Sequence, residues 1–108
     1  MSFQNEPTKF RKLLGDNSKI RVFEYLLEGR ELDHSLTDIA EGAGIDRVTL
    51  FRLWPQIIKE KIVTHTRDIG NAKLFQVNMK NPDMQILAEM FDRIINEGFE
   101  EKILVKEH

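Results

Sequence analysis

Two arginines and a threonine are interleaved with apolar residues in the stretch "RVTLFRL", Arg47–Leu53. An arginine guanidinium donates paired hydrogen bonds to a guanine edge or a phosphate, and a threonine hydroxyl can bond a phosphate. Val48 can make only apolar contacts, for example with the methyl group of thymine. On one exposed helix face, these residue types would have the chemistry of a DNA-reading surface. The alternative is a solvated face that happens to carry arginines.

A helix over Arg47–Lys59, with Asp46 as its N-cap, is predicted to position these side chains. The residues expected to face the core recur at helical spacing and are Leu50, Leu53, Trp54, Ile57 and Ile58. The opposite, exposed side then carries Arg47, Val48, Thr49, Phe51, Arg52 and Gln56. Pro55 has no backbone donor for the carbonyl of Phe51, so a local kink is expected inside this helix.

A shorter helix is predicted just before it, over "DIAEGA", with Thr37 as the N-cap. Gly44 is expected to end this helix, because glycine readily adopts the left-handed conformation found there. Ile45 should pack in the turn, and Asp46 should start the next helix. Two helices joined by a three-residue turn form a helix–turn–helix.

Two runs with strand-like alternation follow, beginning at Val63 and at Leu74. Gly70–Asn71 between them has the composition of a tight turn, so the runs predict a β-hairpin. Four basic residues surround the hairpin: Lys59 and Lys61 precede its first strand, and Arg67 and Lys73 flank its turn.

The rest of the chain is predicted to be largely helical. A short helical turn is expected at Lys9–Gly15, a helix over 18–28, and a short extended piece within 32–36. A last helix is expected over 84–97, with Gly98 as its breaker. The predicted fold class is therefore mainly α with a small β-hairpin (α+β).

Charge is unevenly distributed along this chain of formal net charge −2. Residues 46–80 hold seven basic and three acidic side chains, a charge of +4, whereas residues 81–108 have a charge of −4. The positive excess coincides with the predicted reading helix and hairpin, as nucleic-acid binding would require.

Several classes of function are disfavoured by the composition. The chain has no cysteine, which excludes disulfides, thiolate metal sites and a cysteine nucleophile. His34, His65 and His108 are too scattered for a metal site, and no hydrolase or nucleotide-binding motif appears. No cofactor and no enzymatic activity are therefore predicted. A cytoplasmic location is expected, since the sequence shows neither a secretory signal nor an apolar run of about 18 residues.

The order of these elements resembles winged helix–turn–helix transcriptional regulators, especially the small archaeal kind. The resemblance covers Lys19 to Asn96 and rests on "SLTDIAEGAGIDRVTLFRL", "IIKEKIVTHTRDIGNAKLFQVN" and "NPDMQILAEMFDRII". In that family the second motif helix reads the major groove of double-stranded DNA, the hairpin or wing contacts the minor groove or backbone, and terminal helices often dimerise. Two departures are Pro55 in the reading helix and a wing tip without a basic residue between Asp68 and Ala72.

The resemblance implies a role for each basic or exposed residue of the motif. Base reading is implied for Arg47, Val48, Thr49 and Arg52, and phosphate contacts for Lys59, Lys61, Arg67 and Lys73. The implied function is sequence-specific DNA binding and transcriptional regulation, with any small-molecule effector unknown.

The last predicted helix has a broader apolar stripe than one small domain needs, formed by Met84, Leu87, Met90, Phe91, Ile94 and Ile95. We interpret this stripe as a homodimer interface, although the helix could instead fold back on its own domain. The expected division is a DNA-binding domain at 1–82, including a short N-terminal extension, and a dimerisation helix with its tail at 83–108.

Two other functions fit parts of the sequence. A winged-helix protein–protein interaction module without DNA binding would suit the net negative charge and the exposed Val48 and Phe51. RNA binding is less well supported, because the sequence has no surplus of aromatic residues for base stacking.

Overall fold

A computed structural model describes the backbone of residues 7–107 and the side chains of residues 7–96. The elements in chain order are α1 (Lys9–Leu14), α2 (Ser18–Glu28), β1 (His34–Ser35), α3 (Leu36–Ala43), α4 (Arg47–Lys59), β2 (Val63–Ile69), β3 (Ala72–Val77) and α5 (Pro82–Glu107). This arrangement confirms the predicted fold class, mainly α with a small β-hairpin, and the predicted bounds of α2 and α4.

The strands form an antiparallel sheet in the order β1-β3-β2. The hairpin turn contains only two residues, because Ile69 pairs directly with Ala72. The strands therefore extend further into the segment between the two predicted runs than the sequence pattern indicated. Gly70 adopts a φ of 60° in this turn, which favours glycine. The extended piece expected within 32–36 is the two-residue strand β1, which pairs with β3 and turns the hairpin into a three-stranded sheet.

The main hydrophobic core joins α2, α3, α4, the sheet and the start of α5. Its buried members are Val22, Phe23, Leu26, Ile39, Ala40, Ala43, Leu50, Ile57, Ile62, Val63, Phe75, Val77 and Met84. Trp54 is half-buried against this core, and its ring meets the edge of Phe75 at 5.0 Å between centroids. The prediction that Ile58 faces the core was wrong, because it is 45% exposed. Each helical residue rotates by about 100°, so the position after buried Ile57 points away from the core.

The helix–turn–helix is confirmed, with one different cap. Ser35, rather than Thr37, caps α3, and it forms a reciprocal capping box with Asp38. Gly44 ends α3 in the left-handed conformation at a φ of 71°, as expected. The Asp46 carboxylate then accepts the backbone N–H of Thr49 at 2.7 Å and starts α4.

Tyr25 of α2 contacts two neighbouring elements, α3 through its ring and β1 through its hydroxyl. The ring lies against Gly42 of α3, where an added Cβ would overlap it. The Tyr25 hydroxyl donates to Nδ1 of buried His34 at 3.0 Å, because His34 Nε2 must donate to the Gly29 carbonyl at 3.1 Å. These contacts hold α2, α3 and β1 together beside α4.

The long helix α5 packs on its own domain through one side of its first half. Phe91 meets Phe10 of α1 edge-on at 5.4 Å, in a second core cluster that also contains Leu27 and Ala88. Arg30 adds an ion pair to Asp92 at 2.6 Å. The predicted break at Gly98 was wrong, because the helix continues to Glu107. A single glycine costs a helix only about 1 kcal/mol, which the helix-forming residues around it offset.

The variant Gly42→Ala is expected to destabilise the protein, although alanine normally favours a helix over glycine by about 1 kcal/mol. The added methyl group would overlap the Tyr25 ring, and overpacking of this kind costs about 1–3 kcal/mol. Chemical denaturation should show the lower free energy of unfolding. The control Glu41→Ala, at an exposed position of the same helix, should change it by less than about 0.5 kcal/mol. An equal or higher stability of Gly42→Ala would contradict the close packing of α2 on α3.

Candidate nucleic-acid interface

The first half of α4 exposes the residues that the sequence assigns to base reading. Arg47, Val48 and Arg52 are exposed, with Val48 at 64%, and Thr49 is half-buried. Phe51 is 49% exposed, and the Arg47 guanidinium lies 5.5 Å from the centroid of its ring. This cation–π contact steadies an otherwise flexible arginine on the surface. The face therefore combines two cations with apolar groups.

The cap of α4 places a negative charge next to this face. Hydrogen bonds from the side chain and backbone of Thr49 are the main cause that lowers the pKa of Asp46. The positive charge of Arg52 lowers this pKa further. The Asp46 carboxylate is therefore ionised at neutral pH, where it fixes the start of the helix and makes the local field less positive.

Three elements meet at a groove beside Arg47. The groove has a volume of about 420 Å³ and is lined by Ser35, Leu36, Thr37, Arg47, Trp54, Asn71, Ala72, Lys73 and Phe75. It brings the start of α3, the exposed half of α4 and the turn of the hairpin to one surface. Of the predicted contact residues, Arg47 and Lys73 are therefore brought together.

Arg67, on the hairpin strand β2, is already engaged within the protein. Its Nε and Nη2 donate to the two carboxylate oxygens of Asp33 at 2.9 and 3.1 Å. The hydroxyl of Thr66 also donates to Asp33, at 2.7 Å. The hydrogen bonds from Arg67, and then from Thr66, lower the pKa of Asp33 to about 2. Local sequence patterns do not predict this contact, because Asp33 is 33 positions from Thr66 and 34 from Arg67.

Lys59 and Lys61 lie at the other end of α4. A rise of 1.5 Å per residue puts Lys59 about 18 Å along the axis from Arg47. Lys61 has a φ of 57°, and its carbonyl oxygen accepts the side-chain amides of Asn78 and Asn81. Both lysines are exposed, but they do not line the groove beside Arg47.

The predicted dimer stripe on α5 divides into two sides. Met84 and Phe91 are buried in their own domain and Leu87 packs on the same core, as in the alternative reading of this helix. Ile95 is 53% exposed. Met90 and Ile94 are half-buried against the Phe10 cluster and also border a shallow outer groove, together with Ile86, Glu89 and Arg93. Ile86, which is 65% exposed, was missed, although its spacing of four and eight residues from Met90 and Ile94 marks one helix face.

Within the described part of the chain, no group of three or more histidine, aspartate or glutamate residues is placed to hold a metal ion. No described helix is both long enough and apolar enough to cross a membrane.

Comparison with known proteins identifies the fold. No protein-family model matches the chain, and no curated protein matches its sequence. Among solved structures, the DNA-binding protein Sso10a-2 from Sulfolobus solfataricus aligns at a TM-score of 0.51 and 21% identity, covering 81% of this chain and 90% of that one. The Staphylococcus aureus transcription regulator MepR aligns at 0.59 and 19%, covering 93% and 70%. The Streptococcus pyogenes repressor AdcR aligns at 0.62 and 13%, covering 90% and 72%.

This chain has a winged-helix fold. The helices α3 and α4 are its helix–turn–helix, and the β2–β3 hairpin is its wing. At these identities the likeness concerns the fold, so the function of the chain has to be argued from its own surface.

The Asp33 carboxyl is expected to titrate with a pKa of about 2 in the folded protein, which carbon-13 NMR can measure. In Arg67→Ala this pKa should rise toward the ordinary value of 3.8, because the largest stabilising contact of the charged form is lost. A folded pKa below the unfolded one means that the stabilisation is complete above pH 3.8 and is lost as the pH falls toward 2. A wild-type midpoint near 3.8 would show that the ion pair does not form.

Proposed function

We propose that the protein binds double-stranded DNA in a sequence-specific manner and regulates transcription. The observation that carries this proposal is the exposed, cationic first half of α4, which lies beside the wing turn across one groove. A helix–turn–helix inserts this end of its second helix into the major groove. The DNA-binding and regulatory neighbours in fold support the same function.

The side chains of this face differ in what they can recognise. Arg47 and Arg52 would donate hydrogen bonds to guanine edges or phosphates. Val48 would contact thymine methyl groups, and the Thr49 hydroxyl would bond a phosphate. Phe51 would act by positioning Arg47, since the two are already in contact.

Phosphate contacts would supply much of the affinity. Lys73 is the best placed of the basic residues assigned to this role, because it lines the groove that contains Arg47. Lys59 and Lys61 would contact the backbone further along the duplex, while Arg67 would have to exchange its partner Asp33 for a phosphate.

We further propose that the protein acts as a homodimer that joins through the outer side of α5. The exposed Ile86, with the half-buried Met90 and Ile94 that follow it at steps of four residues, supplies the apolar surface available for such an interface. A dimer would present two copies of α4 to half-sites separated by about one helical turn of DNA. As a DNA-binding regulator without enzymatic activity, the protein would act in the cytoplasm.

A protein–protein interaction module remains the second candidate. Its support is an apolar stripe along the exposed side of α4, formed by Val48, Phe51, Pro55 and Ile58. The second half of this stripe lies beyond the part of the helix that a major groove would cover. Under this candidate, α4 would dock on another protein and duplex DNA would not bind.

Fluorescence anisotropy with random duplexes and with DNA from upstream of the protein's own gene tests DNA binding. The wild type should bind at low salt, and log K should fall against log salt with a slope of several units. Arg47→Ala and Arg52→Ala should each weaken binding by about 1–3 kcal/mol at a preferred sequence. The control Lys12→Ala removes an exposed cation from α1 and should change affinity little. Absence of wild-type binding at low salt would favour the protein–protein candidate.

The variant Ile86→Glu is expected to convert a dimer into a monomer, because it would bury like charges from the two subunits in the proposed interface. Light scattering would show a halved mass, and circular dichroism would show the same helix content. The control Ile69→Glu changes an equally exposed apolar residue on the wing and should keep the wild-type mass. A wild type that is already monomeric, or an Ile86→Glu variant of unchanged mass, would contradict this interface.

A further inference from the structure

The wing carries an arginine whose charge is already neutralised. Two nitrogens of Arg67 are bound by the carboxylate of Asp33, so the edge of the guanidinium that bears Nε and Nη2 is occupied. The pair as a whole has no net charge. Affinity for DNA depends on cations that displace counterions from phosphates, and a neutral pair displaces none.

The carboxylate is fixed more firmly than the arginine. Asp33 precedes β1, and its side chain is 17% exposed, whereas that of Arg67 is 62% exposed. The Thr66 hydroxyl holds the same carboxylate at 2.7 Å. The Asp33 carboxylate is therefore largely shielded from solvent, and Arg67 is the exposed member of the pair.

A β-bulge creates this contact. The pairing of β2 with β3 shifts between His65 and Arg67, so Thr66 is the extra residue of the bulged strand. Thr66 and Arg67 consequently both reach Asp33, although β3 lies between β2 and β1 in the sheet. The contact thus depends on a local irregularity of the wing rather than on a chance meeting of surface side chains.

We propose that Asp33 limits the affinity of this protein for DNA by holding Arg67 in a neutral pair, an inference that rests on the proposed DNA-binding function. A duplex that approaches the wing meets the pair, and a phosphate gains the full charge of Arg67 only by displacing the carboxylate. Asp33 therefore determines affinity without contacting DNA. It acts on the sequence-independent part of binding, because phosphates carry no base information.

The variant Asp33→Asn tests this inference by anisotropy on a random duplex. Asparagine keeps the size of the side chain and an oxygen for Thr66, but it removes the charge that holds Arg67. Binding at 0.1 M salt should tighten roughly fivefold to tenfold, and the log–log salt slope should steepen by about 0.9, as one more cation displaces a counterion. In an Arg67→Ala background, Asp33→Asn should produce a much smaller gain.

The matched control is Asp92→Asn. It removes one negative charge from α5, where Asp92 forms an ion pair with Arg30. It should leave DNA affinity nearly unchanged. An equal gain in both variants would indicate an effect of overall charge and would overturn the inference, as would unchanged or weaker binding by Asp33→Asn. If the wild type binds no duplex, the proposed function itself fails and the inference falls with it.

Circular dichroism melting establishes that the variants are folded. Should Asp33→Asn not fold, Arg67→Lys supplies the second test. Lysine keeps the positive charge but cannot make the two-pronged contact with a carboxylate. Tighter binding by Arg67→Lys than by the wild type would support the inference, and equal or weaker binding would overturn it.

Discussion

The burial of one side of α4 is the constraint on which the rest of the structure depends. Leu50 and Ile57 are almost completely buried, and the burial of each contributes about 1.5–3 kcal/mol. Trp54 extends the anchor to the sheet through the edge of Phe75. Because this side is fixed by α2, α3 and the sheet, the opposite side of α4 has to face solvent. The exposure of Arg47 and Arg52 is a consequence of that packing.

The same packing determines where the wing lies. Tyr25 holds Gly42 on one side and His34 on the other, and His34 belongs to β1, which pairs with β3 of the wing. The hairpin is thereby connected to the helices at its base as well as through Trp54. A rigid base with an exposed turn is the arrangement that a DNA-binding wing needs, since the cost of ordering it on binding is reduced.

Much of the fold follows from local sequence rules. Asp46, Gly44 and the spacing of Leu50 and Ile57 predict the helix–turn–helix, and Gly70–Asn71 predicts the hairpin, because caps, left-handed turns and amphipathic periodicity act within a few residues. Ser35 and Thr37 are both acceptable caps by residue type, and only Ser35 stands three residues before Asp38, with which it forms the capping box. Gly98 has the residue type of a helix end, but type alone does not show that the flanking residues continue a helix.

The candidate site was less predictable, for a physical reason. Asp33 and Arg67 are separated by 34 positions, and their contact needs both the sheet order and the bulge at Thr66. On α5, periodicity shows that an apolar stripe exists. It does not show that Phe91 meets Phe10 while Ile86 faces solvent, because the rotation of the helix is set by α1 and α2.

If the exposed half of α4 and the turn of the wing together form one DNA-binding surface, both elements should respond to the same duplex. Amide chemical-shift mapping during titration with a short duplex tests it most directly, because the shifts report each element separately. We expect perturbations concentrated in residues 47–52 and 69–73, with little change on the outer side of α5. Perturbations confined to other elements, or no perturbation at low salt, would contradict it.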